Sequence, residues 1–259
     1  MSVNVGYRET PGEPKLRPLV LYHYHPTRSG SVPLSVLAGY HGHLQTDGYE
    51  AYDETGRQPG MIHVGCWAHV RRKFFDASKI GKKAGSAEVA LAFIAELYRI
   101  EQTLREKLTA GTISREEFVA TRSAQSTVQL ERFAAWIAQR VEQVPPKTTL
   151  GEALSYAQGQ WQRLLRYLDA WYLTPDNNAA ERAIRPFVVG RKNWLFSDTP
   201  RGAHASAALY SLVETAKANG LEPYAYLRYL FSRLPAASTR EDYLRLLPTA
   251  MTVDDLFNV

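Results

Sequence analysis

Apolar and polar positions change their period along the chain. Residues 19–24 (LVLYHY) form a short apolar and aromatic run between Pro18 and Pro26, which predicts a strand. Residues 5–8 are placed to pair with it across the polar, turn-rich TPGEPK. The stretch 33–40 (PLSVLAGY) has Pro at a first helical position and predicts a short helix. Residues 43–46 predict a strand running into Asp47-Gly48, and 61–66 (MIHVGC) a buried strand entering the helix WAHVRRKFFDASK.

From Ala90 the spacing lengthens. Ala90, Phe93, Leu97, Ile100, Leu104 and Leu108 recur every three or four residues, the signature of an amphipathic helix. Ser114 followed by Glu117 makes a capping box for a second helix carrying Phe118, Phe133, Trp136, Ile137 and Val141, which Pro145-Pro146 ends. Residues 150–171 repeat the pattern with Leu154, Trp161, Leu164, Leu165 and Leu168. Further helices are expected over 205–219, stopped by Gly220, and over 223–234. The predicted order is strands, a helical block, then helices with little strand, without internal repeat or low-complexity segment.

Composition adds modest constraints. A chain of 259 residues with 45% hydrophobic content has ample material for a core, in one large domain or two smaller ones. Net charge +5 and a pI near 9.2 lean toward a polyanionic partner. The single cysteine, Cys66, excludes an intramolecular disulfide and fits a reducing compartment. No apolar h-region opens the chain and no run of about 18 apolar residues follows, so neither export signal nor membrane span is expected and the predicted location is cytoplasmic.

The densest chemistry lies in residues 174–196, TPDNNAAERAIRPFVVGRKNWLF. Asp176, two asparagines and Glu181 are followed by Arg182, Arg185, Arg191 and Lys192. Asn178 and Glu181 have capping-box spacing, which accounts for the glutamate without any catalytic role. Arg182 and Arg185 resist that account, because the helix dipole disfavours cations in the first turns, and an anionic ligand would explain them. The 190–194 stretch (GRKNW) joins two cations to Trp194, either as a nucleic-acid contact or as a structural turn. Asp47, at a strand end and followed by Gly48, is either a presented metal ligand or a simple turn residue. His63, Cys66 and His69 have zinc-compatible chemistry but lack a clear fourth ligand, and a buried Cys66 beside a hydrogen-bonding His69 is the alternative. Arg71, Arg72 and Lys73 follow as either a solvated face or, with Trp67, a phosphate contact. There is no P-loop, G-x-G-x-x-G motif, nucleophile elbow or Ser/His/Asp arrangement.

The strings LQTDGYEAY, HVGCWAHVRRKF, DNNAAERAIRPFVVGRKNWLFSDTPRGAHASAALYSLVETAKANGLEPYAYL and a late LLP resemble bacterial transposases of the insertion sequence 66 family across residues 7–248. The resemblance implies DDE-class chemistry: an α/β, ribonuclease H-like mixed sheet, two aspartates and a glutamate holding two Mg²⁺ or Mn²⁺, and double-stranded DNA (transposon ends and target) as partner. Asp47 in QTDGY matches the second aspartate and Glu181 in DNNAAER the glutamate. Arg71, Arg72, Lys73, Arg182, Arg185, Arg191, Lys192 and Trp194 become the expected DNA contacts.

The implied organisation is residues 1–85 as the first part of the core, 86–171 as a helical insertion, 172–200 as the part carrying the glutamate, and 201–259 as a C-terminal helical region. The first aspartate and its central strand have no match, and Glu9 and Glu13 are poor replacements. The expectation is therefore an N-terminally truncated transposase, inactive alone, in a bacterial, nucleoid-associated setting. It would form homo-oligomers or associate with intact transposase. The alternative is a non-catalytic DNA-binding or dimerising remnant that interferes with intact relatives.

Overall fold

A computed structural model describes residues 1–8, 17–80, 85–194 and 197–256. Glu9 and Glu13 lie outside the described residues. In chain order the elements are strands β1 (Ser2–Arg8) and β2 (Arg17–His23), helix α1 (Ser31–Val36), strand β3 (Gly42–Gln45), helix α2 (Asp53–Gly56), strand β4 (Met61–Val64), and helices α3 (Trp67–Ser78), α4 (Ser86–Thr109), α5 (Arg115–Gln143), α6 (Thr149–Leu165), α7 (Asn178–Trp194), α8 (Pro200–Ala218), α9 (Pro223–Arg233) and α10 (Arg240–Arg245). The protein is α/β, and most of it is helical.

The chain divides into two compact units, one of Arg28–Asn177 and one of Met1–Thr27 with Asn178–Val259. In the first, β3 and β4 pair in parallel, Leu44 opposite His63 and Gln45 opposite Val64. Ser114 caps α5 by accepting from the Glu117 amide while Glu117 reaches back to the Ser114 amide, as the sequence predicts. The apolar stripes of α3 to α6 meet in one core. Trp67, Phe74, Ile94, Phe133 and Leu154 are fully buried there, with Phe93 stacked on Phe133 at 5.0 Å.

In the second unit, β1 and β2 form an antiparallel pair from Ser2 opposite His23 to Arg8 opposite Arg17. Pro18 sits inside β2 rather than before it. A proline has no N–H to give a ladder, and here none is missed, because Pro18 is in phase with Val20 and Tyr22, whose amides point away from β1 toward α8; its carbonyl accepts the Asn219 side-chain amide at the end of α8. Alternation puts Val20 and Tyr22 on the inner face, where they pack with Phe187 of α7 and Ala207 of α8. A separate cluster around Leu221, Tyr226 and Leu230 joins the C-terminal helices. Among the described residues no helix is long and apolar enough to cross a membrane.

Candidate functional site

Asp47 follows β3 by two residues. Thr46 still pairs with the neighbouring strand, its amide donating to Val64 O at 3.0 Å, and the chain then turns at Gly48 with φ +83°. The Tyr49 amide donates to Asp47 Oδ1 at 3.0 Å and the Gly48 amide to Thr46 Oγ1 at 3.3 Å. This is a side-chain-closed turn of the kind aspartate favours, so the turn reading of Asp47-Gly48 holds. The same turn leaves the Asp47 carboxylate exposed at the carboxyl end of a parallel strand. The hydrogen bond that closes the turn and the exposure of the carboxylate belong to one arrangement.

Tyr156 of α6 closes over this turn. Its hydroxyl donates to the Asp47 carbonyl at 2.7 Å, and Lys73 Nζ lies 4.8 Å from its ring centroid. Burial, with Cys66 and Asp47 nearby, pushes the Tyr156 phenol up to about 12, which keeps it a donor at neutral pH. Nothing local in the sequence signals this contact, since Tyr156 reads as one more aromatic on an amphipathic helix.

The His63, Cys66 and His69 side chains do not converge. His63 Nε2 bonds Thr46 Oγ1 at 2.8 Å, whereas His69 Nδ1 bonds Cys66 Sγ at 3.1 Å. Cys66 is buried, and burial pushes its thiol up. Among the described residues no group of three or more His, Cys, Asp or Glu is placed to hold a metal ion.

Burial, reinforced by the Arg163 cation, pushes His63 down from 6.5 to about 4. Between those values the unfolded chain takes up a proton that the folded chain refuses. The stability His63 confers is therefore complete above pH 6.5 and is lost as pH falls toward 4. The ring is only partly buried, so solvent screening reduces the contribution to about 1–2 kcal/mol. Unfolding free energies of wild type and His63→Gln should differ by about that much less in mild acid than above neutrality. A gap independent of pH would show that the ring does not refuse the proton.

Asp176 and its neighbours are fixed within Arg28–Asn177. Tyr98 donates to Asp176 Oδ2 at 2.9 Å, Thr174 Oγ1 to Asp176 O at 2.6 Å, and the Trp67 amide to Pro175 O at 2.8 Å. Arg105 and Arg122 both donate to Leu173 O, at 2.5 and 3.0 Å. Arg71, Arg72 and Lys73 are exposed on α3 of the same unit, with Phe74 as the buried residue that follows them.

Glu181 belongs to the other unit, where it sits half-buried in the first turn of α7. The 190–194 stretch is the last turn of this helix, not a free-standing turn. Ala183, Ile184 and Phe187 face the β1–β2 sheet, and Tyr22 Oη donates to the Ala183 carbonyl. Arg182, Arg185, Arg191 and Lys192 are all exposed. Arg182, Arg185, Val189 and Lys192 recur at three- and four-residue intervals, so one outward side of α7 is mainly cationic. The dipole favours Arg191 and Lys192 in the last turn but does not account for Arg182 and Arg185 in the first two. The Trp194 side chain lies outside the described residues.

The family model for the transposase IS66 family matches residues 6–205, and that for the IS66 C-terminal element matches 211–249. Uncharacterized protein y4qI of Sinorhizobium fredii (strain NBRC 101917 / NGR234) is 32% identical over 238 residues, covering 89% of this chain and 43% of that protein. Uncharacterized protein y4jD of the same strain is 30% identical over 246 residues, covering 92% of this chain and 47% of its own length. The chain thus spans less than half the length of the curated relatives it matches. No solved structure matches it. With one family model covering most of its length and a second covering the C-terminal helices, the chain belongs to the IS66 family of transposases.

Proposed function

We propose that this chain carries part of the core of a DDE-type transposase acting on double-stranded DNA, with Asp47 and Glu181 as two of its metal-binding carboxylates. The observation that carries the reading is the Asp47 turn. A parallel strand ends in an exposed carboxylate held by a backbone amide, the placement a metal ligand requires if it is not to wander. Family membership supplies the reaction class, and a ribonuclease H-like arrangement is part of the same proposal.

The donor set fits Mg²⁺ or Mn²⁺, because Asp47 and Glu181 offer hard carboxylate oxygens and neither is buried among apolar groups. Such ions, when bound, activate a water or 3′-hydroxyl and stabilise the leaving oxygen at phosphorus. Asp47 would offer oxygens from a fixed turn and Glu181 from a helix start. Arg182, Arg185, Arg191 and Lys192, with Arg71, Arg72 and Lys73 of the other unit, would hold phosphates without reading sequence. No third carboxylate is assigned among residues 1–259, so the expected behaviour of this chain alone is DNA binding without strand cleavage. That behaviour also suits a remnant that associates with intact transposase. The exposed cations of α7 favour this second reading, since binding by them needs no metal.

Binding to a duplex carrying matching transposon ends should fall off with salt. Replacing Arg191 and Lys192 together by alanine should reduce the slope of log K against log salt by about 2, close to one per phosphate contact. Glu181→Gln should leave that binding intact. An unchanged slope in the double variant would remove α7 from the DNA surface. Strand cleavage by this chain in Mg²⁺ or Mn²⁺ that disappears in Asp47→Ala would refute the expected inactivity, and cleavage that survives it would remove Asp47 from the chemistry.

A further inference from the structure

Asp47 is held from three directions by groups within Arg28–Asn177. Its carboxylate accepts the Tyr49 amide, the Thr46 hydroxyl before it is bound by His63, and its carbonyl accepts the Tyr156 hydroxyl. The first two contacts are local to the turn and the paired strand. The third comes from α6, 109 residues further along the chain. Gly48 shows how close that approach is. A Cβ built there would lie 2.6 Å from Tyr156 Oη, so the tyrosine occupies the space a side chain would take. Lys73 of α3, 4.8 Å from the Tyr156 ring centroid, holds the ring from the cationic helix.

We propose that Tyr156 is a positioning residue for the Asp47 carboxylate, fixing the 46–49 turn through the Asp47 carbonyl so that the carboxylate is preorganised for a divalent cation. This rests on the reading of Asp47 as a metal ligand. The physical basis is that a peptide carbonyl fixed by a phenol cannot rotate with its turn. The carboxylate then meets the ion without first losing conformational freedom. Groups that orient a ligand in this way commonly change metal affinity by about 10–100-fold.

The test uses Mn²⁺ alone, titrated into the full chain and followed by the electron paramagnetic resonance of the free ion. Wild type, Asp47→Asn and Tyr156→Phe are compared, with thermal unfolding measured on each. The phenylalanine keeps the ring, its packing and the Lys73 contact and removes only the hydroxyl. The expected result is that Asp47→Asn loses most of the affinity and Tyr156→Phe about tenfold, with little change in Tm. Amide exchange without metal adds a second reading, in which Gly48 and Tyr49 should exchange faster in Tyr156→Phe while the α4 to α6 core is unchanged. If Asp47→Asn weakens Mn²⁺ but Tyr156→Phe does not, the positioning role is overturned and the ligand stands. A lowered Tm or generally faster exchange with unchanged Mn²⁺ affinity makes the tyrosine a packing residue only. If Asp47→Asn binds as wild type does, the ligand reading fails and the tyrosine's role fails with it.

Discussion

Arg122→Ala is expected to destabilise the Arg28–Asn177 unit by about 3–5 kcal/mol, the usual result of removing one partner from a buried ionic network. Arg122 lies on α5 with no exposed surface. Its guanidinium donates to Leu173 O at 3.0 Å, Ala170 O at 2.8 Å and Leu168 O at 3.3 Å, and it lies 3.6 Å from Glu101 Oε2. The three carbonyls belong to the chain leaving α6, beyond the last of its helical residues. Phe118 and Tyr167 flank the cation at 4.7 and 5.6 Å.

Alanine would take the guanidinium from Leu168 O, leave Leu173 O with Arg105 alone and Ala170 O with the Leu173 amide alone, and leave the 6%-exposed Glu101 with only Arg105 at 2.7 Å. Lysine should rescue little, since a single ammonium cannot span three carbonyls and a carboxylate as a planar fork does. Four of the five tryptophans, Trp67, Trp136, Trp161 and Trp171, fall in this unit, so with Trp194 replaced by phenylalanine the denaturant midpoint of tryptophan fluorescence reports on it directly. A loss under about 1 kcal/mol would mean that water replaces the guanidinium, as at an exposed ion pair.

Arg122 also marks where the sequence stops being legible. The period of α4 and α5, the Ser114 cap and the stop before Pro145 can all be read locally, because each depends on residues within a few positions. A charged residue inside a helical pattern reads as solvent-facing. Nothing nearby shows that Arg122 has partners 46 to 51 residues away. Tyr156 was hidden for the same reason. The start of α8 was legible but undervalued. Thr199 caps Pro200 at the first helical position, five residues before the first apolar repeat suggested a start. Helix α2, DETG, has no apolar face to detect.

The candidate site was legible in its residues but not in its geometry. Local spacing presented Asp47 as either turn or ligand, because spacing carries no exposure. The hydrogen bond that closes the turn is also what aims the carboxylate outward. For Glu181 the sequence offers capping-box spacing from Asn178, which α7 takes in as its first residue, and the cations beside it are not explained by capping. Strand β1 starts at Ser2, earlier than its apolar residues suggest, because its length follows the seven-residue register of β2 rather than its own pattern.

Thr215→Val should destabilise the unit formed by Met1–Thr27 and Asn178–Val259 by about 2–4 kcal/mol, although the two side chains have nearly the same shape. The side of β2 away from β1 is covered by a helix instead of a strand. Tyr22 N–H donates to Ser211 Oγ at 2.8 Å, Val20 N–H to Thr215 Oγ1 at 3.0 Å, and Asn219 Nδ2 to Pro18 O at 2.8 Å. Thr215 also donates its own hydroxyl to Val20 O at 3.0 Å. Two strand residues advance about 6.8 Å and four helix residues about 6.0 Å, so positions 211, 215 and 219 keep step with 22, 20 and 18. Thr215, 1% exposed, satisfies both polar groups of Val20, and valine would strand both where water cannot reach. Thr215→Ser keeps the hydroxyl and should recover most of the loss. The Val20 amide should exchange at least about tenfold faster in the valine variant than in the serine variant, since 1.4 kcal/mol already corresponds to that factor. Equal protection in the two would show that the ladder from α8 is incidental and that apolar packing alone holds α8 on the sheet.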